Sequence, residues 1–97
     1  MIFAVSFEDN EAAAHMRTQH MGAHLSFLER NRAVITAAGP LVDAETSSPA
    51  GGLWLVSAAD AAEVRNLVES DPFWPTGLRK AVRILEWKQV FADGKRL

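Results

Sequence analysis

Strand, helix, strand, strand, helix, strand is the order in which hydrophobic periodicity changes along these 97 residues, and few chain folds accommodate it. Phe3, Val5 and Phe7 alternate with Ile2, Ala4 and Ser6, so Ile2 to Phe7 is a strand with two distinct faces. Glu8-Asp9-Asn10 supplies a turn and an N-cap for a helix from Glu11 to Arg30, whose weak point is Gly22. Ala33 to Ala38 is a second strand, ending at Gly39-Pro40 because proline cannot donate to a ladder. Turn residues then make Leu41 to Gly52 a surface loop, and Leu53 to Ser57 resumes as a third strand, apolar on both faces and therefore central. Asp60 and Glu63 form a capping box for a helix carrying Val64, Leu67 and Val68, which stops before Asp71-Pro72. An aromatic, proline-bounded loop, Phe73 to Gly77, leads to a last strand from Ala81 to Phe91, and a polar tail, 92–97, is expected to fray.

This order specifies a single α+β domain over residues 1–97 with a ferredoxin-like βαββαβ arrangement, a four-stranded antiparallel sheet with both helices on one face. The other sheet face is left bare although each strand offers it apolar side chains. A second copy laid sheet to sheet is the simplest cover, so a homodimer through the sheet faces is expected.

Composition removes several partners. A formal charge of −2 provides no basic field for nucleic acid or an anionic membrane. With no cysteine there is no disulfide framework, thiolate nucleophile or Cys-based zinc site. The apolar runs are short and Met1 leads directly into strand-like sequence without a basic leader, so neither a membrane span nor a signal peptide is expected, and the location expected is cytoplasmic. No dinucleotide fingerprint, P-loop or flavin motif occurs, and no cofactor is expected.

The chemistry concentrates in residues 17–28. Met21, Leu25 and Leu28 recur at helical spacing and are expected to face the core, with Arg17, His20 and His24 along one border of that stripe. On a helical wheel Arg17 and His24 lie within about 20° of each other, and His20 roughly 40° further round. Such a face describes the wall of a small pocket, and equally an amphipathic helix with a polar shoulder. His20 and His24 also have the spacing of paired metal ligands, but no third ligand is identifiable and no metal is assigned.

These residues also carry a family resemblance. Arg17-x-x-His20-x-x-x-His24-Leu-x-Phe-Leu, then Ala38-Gly39-Pro40-Leu41, Gly52 opening a strand, Asp71-Pro72-Phe73 with Gly77-Leu78, and a strand ending near Trp87 together resemble the YciI-like (YCII-related) family from about Ile2 to Phe91. The resemblance implies a dimeric ferredoxin-like α+β barrel. It further implies an active site of a histidine and an aspartate, which by motif position are His24 and Asp71; one branch of the family removes chloride from a chlorinated hydroxyquinol. Arg17 and His20 fall at less constant upstream positions, and Gly39-Pro40 at the family's Gly-Pro turn.

A carboxylate on one imidazole nitrogen fixes the tautomer and leaves the other nitrogen to take or give a proton. With no thiol and no serine elbow, proton transfer on a small activated molecule is favoured over nucleophilic hydrolysis. Arg17 would hold an anionic oxygen, and Phe73 or Trp74 would form an aromatic wall; Trp54 and Trp87 are assigned to the core or the dimer face. Structural readings stand beside these: His24 as a packed histidine, Asp71 as a helix stop, Arg17 as a solvated arginine. Three functions therefore stay open, namely a cofactor-independent lyase-type enzyme, a non-catalytic small-molecule-binding module, and a dimerisation module.

Overall fold

The computed structural model describes residues 1–97. Strands β1 (Ile2–Asp9), β2 (Ile35–Val42), β3 (Pro49–Ser57) and β4 (Arg79–Glu86) form one sheet in the order β2-β3-β1-β4. Every neighbouring pair is antiparallel. Helices α1 (His15–Arg30) and α2 (Ala61–Ser70) form the two crossovers. Phe3, Val5, Phe7, Ile35, Trp54 and Val56 from the sheet share one buried cluster with Phe27 of α1 and Val64 and Val68 of α2, so both helices cover the same face. This is the ferredoxin-like α+β arrangement expected from the order of elements.

Several boundaries differ from expectation. Helix α1 runs unbroken through Gly22, and its first expected turn is instead a separate 3-10 turn at Glu11–Ala13, capped by the Asn10 side chain accepting from the Ala12 N–H at 3.1 Å. Strand β2 continues through Gly39-Pro40 because it lies at the sheet edge, where a missing N–H is tolerated, and the ladder shifts register between Pro40 and Val42. The expected Leu41 to Gly52 loop therefore shrinks to residues 43–48, and β3 begins at Pro49, four residues before the expected start. Strand β4 stops at Glu86 because its partner β1 begins at Ile2, whose carbonyl accepts from the Trp87 N–H at 2.8 Å. The expected frayed tail is a small hairpin, β5 (Phe91–Ala92) and β6 (Lys95–Arg96), turned by Asp93 and Gly94 at φ of 53° and 76°. Two successive positive φ values are what a tight hairpin turn demands, and Asp-Gly supplies them.

The second helix follows its sequence signature. Asp60 accepts from the Glu63 N–H at 2.9 Å, while the Glu63 carboxylate reaches back to the Ala59 N–H at 3.0 Å. On the sheet face away from the helices, register sets Ala37 beside Leu55, Leu55 beside Ala4, and Ala4 beside Leu85. One apolar row thus crosses all four strands, with Leu85 exposed.

Candidate active site

Helix α1 buries His24 and Phe27, whereas Leu25 is 49% exposed. The expected core stripe is therefore out of phase. Met21, Leu25 and Leu28 border a cavity, and the imidazole expected at the margin points into the protein. The phase reflects a weakly amphipathic helix whose apolar side chains do not outweigh the buried pairing of its histidine.

That pairing is made at the end of α2. Asp71 is the C-cap residue, held extended by Pro72 as a residue before proline must be. Its Oδ1 accepts from the Phe73 N–H at 3.1 Å and lies 2.8 Å from Nδ1 of His24. The Asp-Pro stop and the carboxylate that meets His24 are thus one device, in which the turn that ends the helix also aims the side chain. His24 is 7% exposed and Asp71 3%. Because a carboxylate accepts, Nδ1 of His24 donates, which in the neutral ring leaves Nε2 as the acceptor. Nε2 makes no hydrogen bond within the protein and is not fully occluded, on a residue that borders the cavity. Phe73 backs the imidazole in a stack with centroids 4.1 Å apart and planes 17° apart, and the Trp54 ring centroid lies 6.3 Å away.

Two charged residues that sequence reasoning missed complete the site. Asp9, read from sequence as part of a turn, ends β1 and bridges two guanidinium groups, Arg17 through Oδ2 and Arg79 through Oδ1, the latter at 2.9 Å. Arg79 Nη2 lies 4.0 Å from Oδ2 of Asp71. The Arg79 guanidinium sits over Phe7 at 4.1 Å and 5.3 Å from the Phe73 ring centroid. Burial pulls Arg79 below the usual arginine range, opposed by its hydrogen bond to Asp9 and by the charges of Asp9 and Asp71. Asp9 and Arg79 are cross-strand partners in the β1–β4 ladder, a relationship invisible until the register is known.

A cavity of about 110 Å³ lies between α1, β2 and β3, bordered by Arg17, His24, Gly39, Pro40, Trp54 and Arg79. Arg17 and Pro40 also border a wider groove of about 750 Å³ at the sheet end. The structure therefore gathers His24, Arg17, Gly39 and Pro40 around one space, with Asp71 and Phe73 directly behind. His20 and Trp74 border neither space. His20 is half-buried without a side-chain hydrogen bond, and Trp74 packs on the core. The aromatic wall of the cavity is Trp54, a residue whose sequence context points only to the core or dimer face. No group of three metal-ligating His, Cys, Asp or Glu side chains occurs, and no helix is long and apolar enough to cross a membrane.

Comparison with known proteins agrees with this fold. A family model described as the YCII-related domain matches residues 1–88. Among solved structures, the chain is similar to the 5-chloro-2-hydroxyhydroquinone dehydrochlorinase of Burkholderia phenoliruptrix AC1100 in complex with 2,5-dihydroxybenzoquinone. The two are 31% identical with a TM-score of 0.80, over 92% of this chain and 95% of that one. The search of curated proteins found no match.

Proposed function

Because the chain belongs to the YCII-related domain family, we propose that it is a cofactor-independent, lyase-type enzyme whose His24–Asp71 pair moves protons on a small activated phenol. The observation that carries this reading is the buried 2.8 Å contact of His24 Nδ1 with Asp71, which leaves Nε2 open to a cavity. The similar dehydrochlorinase supports the reaction class. When a chlorinated hydroquinone loses HCl, two ring hydroxyls give up their protons, one proton is delivered to the carbon bearing chlorine, and chloride leaves with the bonding pair. The ring departs as a quinone, its oxidation matched by reduction of the carbon that exchanged chlorine for hydrogen, so no external oxidant is needed. A single imidazole can take a proton from a hydroxyl and return it to that carbon when its second nitrogen is fixed, as Asp71 fixes it here.

Arg17 lies at the junction of cavity and groove, where a guanidinium would meet an anionic ring oxygen, and Gly39-Pro40 forms the opposite wall. A homodimer through the outer sheet faces belongs to the same proposal, supported by the apolar row Ala37, Leu55, Ala4 and Leu85. The test is chloride release from 5-chloro-2-hydroxyhydroquinone and related halophenols. Turnover by the wild type that is lost in His24→Asn, with binding retained, supports the enzyme; binding without turnover for every halophenol tried replaces it with a binding module.

A further inference from the structure

We propose that Arg79 is the anchor for an ionised ring oxygen of the substrate, and that the site selects planar oxyanions over neutral phenols. The proposal rests on the acid/base reading of the same cavity and names its substrate class.

Arg79 is unusual among the charged groups of this chain. Its side chain is 4% exposed, against 27% for Arg17. A guanidinium offers five N–H donors, and Arg79 uses one of them, from Nη1 to Asp9. Nε is buried without any partner. Nη2 stands 4.0 Å from Asp71, beyond hydrogen-bond range, yet is not occluded, so its donors remain accessible in a residue that borders the 110 Å³ cavity. Burying a charge this incompletely satisfied is unfavourable unless something else gains from it.

The surroundings hold the group in place. The Phe7 and Phe73 ring centroids lie 4.1 Å and 5.3 Å from the guanidinium carbon, and Asp9 holds one edge through Nη1. Asp71 meanwhile pairs with His24 through Oδ1 and faces Arg79 through Oδ2. The proton-transfer nitrogen and the anion donor are therefore both referenced to one carboxylate, which sets their separation. Both residues border the cavity, so an oxyanion held on Nη2 would share that space with His24. The cavity itself is smaller than the roughly 150 Å³ that encloses a benzene ring, so one ring enters partway with its remainder in the adjoining groove.

The test is calorimetric titration at pH 7 with 2,5-dihydroxybenzoquinone, whose hydroxyls are vinylogous carboxylic acids and ionise, and with hydroquinone, whose hydroxyls stay protonated. Wild type should bind the anionic quinone at least tenfold more tightly than hydroquinone. Arg79→Met should weaken quinone binding by about tenfold to a hundredfold and hydroquinone binding far less, with Arg79→Lys recovering part of the loss. The ligand comparison in wild type needs no variant and stands even where Arg79→Met does not fold. Equal affinity of wild type for both ligands overturns the proposal, as does a folded Arg79→Met that binds the quinone normally. Should halophenol turnover still depend on His24 in that case, only the anchor falls; a wild type that binds neither ligand and turns over no halophenol removes both readings.

Discussion

His24 on the first helix and Asp71 at the end of the second meet at 2.8 Å across 47 residues of sequence, and nothing else in the molecule bonds the two helices through side chains. The contact is buried and backed by the stacked ring of Phe73, itself two residues beyond Asp71. A carboxylate and an aromatic ring from the end of one helix and an imidazole from the other are thereby packed together beside the cavity.

Removing either partner should separate chemistry from folding. His24→Asn should reduce turnover by about a hundredfold to ten-thousandfold, the usual contribution of a positioned acid/base. Asp71→Asn keeps an acceptor for the Phe73 N–H and should leave the far-ultraviolet dichroism unchanged while lowering turnover. Paired rate and dichroism measurements check this.

Glycine substitutions should have opposite signs at two positions. Gly51 has a φ of +89°, and a Cβ there would lie 1.9 Å from the Phe7 carbonyl oxygen, so Gly51→Ala should destabilise by about 2 kcal/mol or more. Gly22 sits in α1 with no neighbouring atom within 4 Å of the place a methyl would take, and Gly22→Ala should stabilise by about 1 kcal/mol. Thermal unfolding of both variants reads the difference.

The β2–β3 turn should weaken in acid. Asp43 accepts from the Thr46 and Glu45 N–H groups, which hold its carboxyl below the ordinary value of 3.8. The unfolded chain therefore takes up the proton first as pH falls. The stabilisation is complete above the unfolded value and disappears as pH drops through the folded one. Asp43→Asn keeps the acceptor but not the titration, so its Tm should fall less steeply than that of wild type below about pH 4.

A charge in the outer apolar row should separate two copies. Leu55 is the centre of that row, flanked by Ala37 and Ala4. Wild type should scatter light as twice 10.6 kDa, and Leu55→Glu as the single chain. A monomeric wild type contradicts the sheet-to-sheet dimer.

The sequence reveals this fold in its alternations. Phe3, Val5 and Phe7 interleave with smaller residues, and Asp60 with Glu63 marks the second helix start as the structure has it. Boundaries fail where the partner strand decides them: Pro40 stays in β2 because the edge excuses it, and β4 ends where its antiparallel partner β1 begins. The candidate site is half legible. The motif positions single out His24 and Asp71, whose side chains do meet, but the phase of α1 is not readable, because Met21 and Leu25 border a cavity and only Leu28 of the expected stripe also packs on the core. Asp9 and Arg79 are separated by 70 residues and become neighbours only through strand register, which no local pattern encodes.

The most direct test of the His24–Asp71 pair is a long-range proton–nitrogen spectrum of the three histidine rings, recorded for wild type and Asp71→Ala, which removes the acceptor, with and without 2,5-dihydroxybenzoquinone. At pH where the rings are neutral, His24 should show its proton on Nδ1 in wild type and a mixture of tautomers in Asp71→Ala. The quinone should perturb Nε2 of His24 and leave His15 and His20 unmoved. A His24 with the same tautomer balance in both proteins, or a quinone response absent from Nε2, contradicts the acid/base site described here.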